Sequence, residues 1–121
     1  MLKYPDSATL LSGPLAANIF ENSLITEILK EKLHGRGIFE IYYYRDTNKN
    51  EIDLLIEKAT SLHLVEIKMR KNIDKADARI VENFIVPDKQ LSRWLVSCFE
   101  HELMIAPATR NLPWWKIRSV V

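Results

Sequence analysis

The 121-residue chain has a mass of 14.1 kDa and a hydrophobic fraction of 47%, values typical of one globular domain that can bury a core without covalent staples. Its 17 Lys and Arg against 16 Asp and Glu give a net charge of +1, so a nucleic-acid-binding surface must be a local patch. The single cysteine excludes an internal disulfide, and no apolar run approaches the roughly 18 residues of a membrane helix. We therefore expect a cytoplasmic protein with no membrane partner.

The first regular element is a helix predicted over residues 14–34. Pro14 suits the first helical position and Gly35 suits the helix end. Apolar residues recur along it with helical spacing, at Ala17, Phe20, Leu24, Ile25, Ile28 and Leu29. Residues 1–13 fit no regular pattern and are interpreted as an N-terminal extension, a remnant of an upstream domain, so the predicted domain covers residues 14–121.

Glu21 departs from this helical pattern, because its neighbours three, four and seven residues away all belong to the apolar stripe. A carboxylate on a buried helix face is unfavourable unless it finds a cation, a metal or a hydrogen-bond donor. Glu21 is therefore either bonded to backbone or an arginine, or it is part of a functional site. Glu31 lies off the stripe and is expected to face solvent.

Three strands, predicted over residues 39–45, 51–57 and 63–69, follow the helix as an antiparallel meander. They are rich in β-branched, aliphatic and aromatic residues, and polar turns separate them. The second and third strands are apolar on both faces, which is typical of strands that are covered on both sides.

The second half of the chain predicts a helix over residues 73–85 and a fourth strand over residues 94–99. Residues 103–106 are predicted to form a fifth strand in a hairpin with the fourth, and residues 114–117 a closing edge strand. The tryptophan pair in this last segment is expected to pack onto the core, although such a pair can also stack on bases. The predicted fold class is α/β, with a mixed central β-sheet flanked by helices and an αβββαβ core.

Three charged residues interrupt the apolar second and third strands. Asp53 lies in a strand that otherwise reads Ile-Leu-Leu-Ile, and Glu66 and Lys68 share one face of the next strand. A hairpin centred near Thr60 places Asp53 roughly opposite that pair. Because charged residues are rarely buried without partners, the cluster requires an explanation.

A divalent cation is the functional explanation. Asp53, Glu66 and the backbone carbonyl of Ile67 supply the oxygen ligands that Mg²⁺ or Mn²⁺ prefers, and such a metal polarises a phosphate and acidifies its own water. Lys68 then orients or deprotonates the attacking water, or stabilises charge on the phosphate. Glu21 is predicted to hold a metal-bound water or a second ion.

The structural explanation is a metal-free ion-pair cluster, in which Lys68 neutralises both carboxylates. Two carboxylates against one ammonium leave an excess negative charge, which Arg45 or Arg70 could balance. Arg70 and Lys71 follow the motif strand directly. Under the metal hypothesis they are predicted to contact DNA phosphates.

The spacing of these residues resembles the PD-(D/E)xK pattern of restriction endonucleases and many repair nucleases. Residues 10–100 as a whole resemble the uncharacterised C-terminal domain of a bacterial and archaeal family of AAA-type ATPases. The segments that carry this second resemblance are Glu21-Asn22, Tyr43-Tyr44-Arg45, Glu51-Ile52-Asp53 and Glu66-Ile67-Lys68.

The resemblance implies a restriction-endonuclease-like domain, preceded in that family by a P-loop ATPase and a winged-helix segment. It implies DNA as the partner and hydrolysis of phosphodiester bonds that depends on Mg²⁺ or Mn²⁺. This chain lacks the P-loop sequence, so an ATPase domain is expected upstream rather than within it. The alternative function is a non-catalytic nucleic-acid-binding or partner-docking appendage of an ATPase.

Overall fold

The computed structural model describes residues 14–35 and 38–121, so the predicted extension at residues 1–13 lies outside the described part of the chain. Five strands form one sheet, and helical segments pack on both of its faces. In chain order the elements are α1 (Pro14–Leu33), β1 (Glu40–Arg45), β2 (Glu51–Lys58), β3 (Ser61–Lys68), a 3₁₀ helix (Lys75–Ala78), α2 (Arg79–Asn83), β4 (Gln90–Ser97), β5 (Thr109–Pro113) and a last 3₁₀ helix (Trp114–Val120).

The sheet is mixed and its strands lie side by side in chain order. Strands β1, β2 and β3 form an antiparallel meander. The connection through α2 then returns the chain to the other end of the sheet, so that β4 is parallel to β3, and β5 is parallel to β4. This arrangement confirms the predicted α/β class, the meander and the mixed sheet.

Apolar side chains cover both faces of β2 and β3, as their sequences predict. One core cluster lies between the sheet, α1 and the last 3₁₀ helix, and it includes Leu24, Ile28 and Ile67. The other cluster lies under α2 and includes Leu64 and Val81. Both motif strands are therefore held from two sides.

The turn between β1 and β2 is fixed by a single carboxylate. Oδ1 of Asp46 accepts hydrogen bonds from the backbone N–H groups of Asn48 and Asn50, each at 2.9 Å. Oδ2 accepts a third bond from the Asn50 side chain at 3.1 Å. Lys49 sits within this braced turn with a φ of 63°, a left-handed conformation that is uncommon for residues other than glycine and asparagine.

The predicted hairpin strand at residues 103–106 is wrong. That segment contributes one isolated bridge, Met104 to Arg110, whereas the fifth strand is β5 and runs parallel to β4. The fully buried side chain of Asn111 explains the difference, because its amide donates to the carbonyl oxygens of Phe99 and His101 and its Oδ1 accepts from Ser97. The side chain thus secures an irregular loop where a hairpin was expected.

The predicted edge strand at residues 114–117 is also wrong. Pro113 ends β5, since proline cannot donate to a further ladder, and the chain turns into the last 3₁₀ helix. The predicted helix over residues 73–85 is shorter than expected, and it divides into the 3₁₀ helix before α2 and α2 itself. Phe84 already has an extended backbone, which ends α2.

Two expectations about exposure are reversed. Glu31 is only 9% exposed, because the last 3₁₀ helix covers it and Arg118 approaches its carboxylate to 3.5 Å. Trp114 and Trp115 remain 41% and 53% exposed instead of packing into the core. Within residues 14–35 and 38–121, no helix is both long and apolar enough to cross a membrane.

Candidate functional site

A cleft of about 410 Å³ opens where β2 begins and β3 ends. The N-terminal half of α1 forms one wall and α2 reaches the other. The lining residues are Ala17, Phe20, Glu21, Lys49, Glu51, Asp53, Glu66, Ile67, Lys68, Met69 and Ile80. Every residue predicted to hold a metal or to act in catalysis therefore lies in one cavity.

A β-bulge sets the position of Asp53. In the β1–β2 ladder Tyr42 pairs with Leu55 but Tyr44 pairs with Ile52, so Asp53 and Leu54 together stand opposite the single residue Tyr43. Such an extra residue bends a strand and redirects a side chain, and bulges are frequent beside active sites.

The β2–β3 register brings the two motif strands together at the same point. The ladder runs from Lys58 and Ser61 to Leu54 and Val65, and its continuation sets Asp53 across from Glu66. At this end the carboxylate takes part in the strand pairing, because Oδ2 of Asp53 accepts the N–H of Ile67 at 2.7 Å. The side chain is therefore held between the strands.

Glu66 is the most deeply buried acid of the cleft, with 7% of its surface exposed. Burial raises its pKa to about 9, and its hydrogen bond with Asp53 and the charge of Asp53 add to the effect. Lys68 opposes the rise but does not cancel it. At neutral pH Glu66 thus keeps its proton and hydrogen-bonds to Asp53.

Glu21 joins the same group from the helix side. The pKa of Glu21 is raised to about 7. Burial is the largest cause, and the charge of Asp53, a hydrogen bond with Asp53 and the charge of Glu51 contribute in decreasing order. Lys68 again acts in the opposite direction. The anomalous glutamate on the apolar face of the helix therefore points at the motif carboxylates, and the meeting of α1 with the sheet explains its position.

The charge of the cleft is unbalanced. Four carboxylates line it, but only two ammonium groups do, those of Lys49 and Lys68. Arg45 pairs with Glu51 at 3.2 Å and so balances one of the four carboxylates, and both of these side chains are well exposed. The other three acids, Glu21, Asp53 and Glu66, are left with the two ammonium groups. Burial is the largest cause of the raised pKa values of Glu21 and Glu66, and the repulsion between the carboxylates adds to it.

The donor set fits a hard divalent cation in its chemistry. Asp53 and Glu66 offer carboxylate oxygens beside the carbonyl of Ile67, and a cation would supply the positive charge that the cleft lacks. In the described ranges no group of three or more His, Cys, Asp or Glu side chains is arranged to hold a metal ion. The candidate ligand set is smaller than such a group, because it consists of two carboxylates and one backbone oxygen.

The two residues predicted to contact phosphates lie apart from the cleft lining. Arg70 pairs with Asp77 through its guanidinium, and its carbonyl accepts the N–H of Cys98 at 3.1 Å. Lys71 is exposed, and its charge acts on the thiol of Cys98, whose pKa is raised by burial. Their contact with DNA stays a prediction.

Two charged residues of the cleft were not anticipated from the sequence. Glu51 precedes Asp53 by two residues, a spacing that puts both on one side of a strand and could have identified it. Lys49 gives no such signal, because it lies in a polar turn whose direction depends on the hydrogen bonds of Asp46.

Comparison with known proteins gives one match. The model of a family described as a domain of unknown function (DUF4143) matches residues 16–117, which include all of the cleft residues. The match is consistent with the resemblance to C-terminal domains of AAA-type ATPases and carries no evidence for a nuclease family. No curated protein and no solved structure matches the chain.

Proposed function

We propose that this chain, which belongs to the DUF4143 family of domains of unknown function, is a divalent-metal-dependent nuclease domain that hydrolyses phosphodiester bonds in DNA. The observation that supports this proposal most is the crowding of Glu21, Asp53 and Glu66 in one cleft beside Lys68. Carboxylates that are buried close together repel one another, and they destabilise a fold unless something balances their charge. The same carboxylates suit a site that is completed by a cation.

In this proposal Asp53, Glu66 and the carbonyl of Ile67 hold Mg²⁺ or Mn²⁺. The bound ion would polarise a phosphate and lower the pKa of a water molecule. Lys68 orients the attacking water and stabilises the negative charge that develops on the phosphate. Glu21 accepts a hydrogen bond from a water in the cleft.

The architecture is compatible with a restriction-endonuclease-like domain. The order of a helix, three antiparallel strands, a helix and a parallel strand agrees with the αβββαβ core of that fold class. We further propose that the domain works as the C-terminal module of an AAA-type ATPase and that its substrate is DNA.

Titration calorimetry with Mn²⁺ tests the proposal at its first step. Wild type should bind Mn²⁺ at millimolar concentration or below, while Asp53→Ala and Glu66→Ala should lose this binding. Glu40→Gln is the matched control, because the Glu40 side chain is 61% exposed and pairs only with Lys32 among the described residues. Wild type that binds no divalent ion would overturn the proposal.

Incubation of linear and branched DNA with Mn²⁺ tests the second step. Wild type and Glu40→Gln should cut at least one substrate, whereas Asp53→Ala and Lys68→Ala should not. If Mn²⁺ binds but nothing is cut, the domain is instead a non-catalytic appendage of an ATPase.

A further inference from the structure

A second cleft, of about 310 Å³, lies between α1 and the last 3₁₀ helix. Two exposed tryptophans form much of its surface. Its polar residues come from α1 and from Arg118 of the last 3₁₀ helix. It is lined chiefly by Ser23, Leu24, Glu27, Trp114, Trp115 and Arg118. We call this cavity the tryptophan cleft.

The two tryptophans are held in place yet keep their surfaces accessible. Their ring centroids are 5.7 Å apart with the planes at 86°, so the edge of one ring meets the face of the other. Trp114 also packs against Phe20, with the ring centroids 6.2 Å apart and the ring planes at 75°. Large rings that are fixed in orientation and about half exposed suit the stacking of a flat partner.

Phe20 also connects the tryptophan cleft to the acidic cleft. It lines the acidic cleft beside Glu21 and contacts Trp114 with its ring. Glu21 and Glu27 are separated by about 9 Å along the axis of α1, at about 1.5 Å per residue. The two clefts therefore lie close enough along α1 for one strand of DNA to contact both.

The polar groups of the tryptophan cleft fit a nucleotide. Arg118 donates through Nε to the carboxylate of Glu27 at 3.0 Å and lies 3.5 Å from the carboxylate of Glu31, yet 60% of its side chain stays exposed, so its outer N–H groups can also reach a phosphate. The Glu27 carboxylate can accept from an exocyclic amine at the edge of a base. The charges of Arg118 and Glu27 cancel, so the main contribution of this cleft to binding a single strand is the stacking of bases on its aromatic faces.

We propose that the tryptophan cleft binds unstacked bases of single-stranded DNA, on the same strand as the phosphate that lies at Asp53 and Glu66. The inference rests on the proposed nuclease function, and it narrows the substrate class to DNA with a single-stranded segment beside the cut. A fully paired duplex keeps its bases stacked inside the helix and offers none to the tryptophans.

The test is a comparison of binding affinities in metal-free buffer with EDTA. An oligodeoxycytidylate of about 12 nucleotides, whose bases carry an exocyclic amine and whose length is within the range of one single-strand-binding module, is titrated against a duplex of the same length. Quenching of tryptophan fluorescence and anisotropy of labelled DNA report the binding. The single strand should bind at least about tenfold more tightly than the duplex and should quench the fluorescence.

Three substitutions at one position separate stacking from simple apolar contact. Trp115→Ala should weaken single-strand binding about tenfold, Trp115→Phe should retain most of it, and Trp115→Leu should resemble the alanine variant. Tyr42→Ala is the matched control, since Tyr42 is 48% exposed on β1 and does not line either cleft. A leucine variant that binds like wild type, or equal affinity for both DNA forms, would overturn the inference.

The outcome is separable from that of the proposed function. If wild type binds Mn²⁺ and cuts DNA but Trp115→Ala binds single strands normally, the nuclease proposal stands and the tryptophan site falls. If Trp115→Ala loses single-strand binding while wild type binds no Mn²⁺, the single-strand site stands and the nuclease proposal falls.

Discussion

Asp53 completes the pairing of β2 with β3, because its Oδ2 accepts the Ile67 N–H at 2.7 Å where the ladder of paired residues has ended. A side chain that replaces a backbone acceptor in this way is part of the sheet as well as part of the cleft. The bond also fixes the peptide of Ile67, whose preceding residue is Glu66. One hydrogen bond therefore relates the positions of both motif carboxylates.

Replacement of Asp53 by asparagine and by alanine should separate these two roles. Asn keeps an oxygen acceptor for the Ile67 N–H, whereas Ala leaves a buried donor unpaired, which costs about 1–3 kcal/mol. We expect Asp53→Asn to be more stable than Asp53→Ala by about that amount in urea unfolding, and both to lose Mn²⁺ binding. Equal stability of the two variants would show that the hydrogen bond contributes nothing.

Glu66→Gln should leave the metal-free protein folded with little change at pH 7. The raised pKa of about 9 means that Glu66 is protonated there, and glutamine is close to that neutral acid in shape. We expect the free energy of unfolding to change by less than about 1 kcal/mol, with Glu40→Gln as control. A loss of about 3–5 kcal/mol would instead indicate a broken buried ion pair with Lys68.

His63 should make stability depend on pH below neutrality. Its Nδ1 accepts from Nε1 of Trp94 at 3.2 Å, and burial, followed by the charge of Lys58, lowers its pKa from 6.5. Because the unfolded chain then binds the proton more readily, stability is complete above about pH 6.5 and is lost as the pH falls through the lowered pKa. Urea unfolding of wild type and His63→Gln should diverge over this window, by less than the one-proton limit of about 1.4 kcal/mol per pH unit.

Asn111→Ala should destabilise the domain strongly. The buried amide makes hydrogen bonds to Phe99, His101 and Ser97, and alanine would leave these partners unsatisfied. We expect a loss of about 2–4 kcal/mol in urea unfolding, against less than about 0.5 kcal/mol for the exposed control Asn48→Ala. A small effect would mean that the loop is held by other contacts.

Lys49→Asn should affect stability and DNA binding in opposite directions. Asparagine tolerates the left-handed conformation better than lysine, so the free energy of unfolding should rise by up to about 1 kcal/mol, and the melting temperature should rise with it. If Lys49 contacts a phosphate in the cleft, DNA affinity should fall and its salt dependence should decrease by about one unit of slope. Lys75→Asn, at an exposed position outside both clefts, is the control and should change neither quantity.

The first half of the fold follows from local patterns in the sequence. The helix, the three strands and the position of Asp53 near Glu66 could be predicted, because periodicity and turn composition determine them. The helical position of Glu21 among apolar neighbours marked it as unusual, and the structure explains it by the approach of α1 to the motif strands. These features depend on residues close together in the chain.

The second half depends on contacts between distant residues, which composition does not reveal. The burial of Glu31 requires the arrival of Arg118, and the parallel position of β5 requires the loop bonds of Asn111. Trp115 is exposed because the chain forms a 3₁₀ helix after β5. The hydrophobic character of the segment had instead favoured a strand packed on the core. In each case tertiary packing overrides local preference.

The bulge in β2 also has a consequence for how the meander assembles. Ile52 and Leu55 both belong to the core cluster under α2, although residues three apart in a regular strand face opposite sides. The bulge switches the alternation of side chains between the two faces of β2. Only one alignment of β2 with its neighbour then buries the apolar residues on both sides of the bulge. If β1 slid along β2 by one residue, the apolar side chains on one side of the bulge would lose their buried positions. The bulge that directs Asp53 into the cleft should therefore also exclude misaligned hairpins during folding.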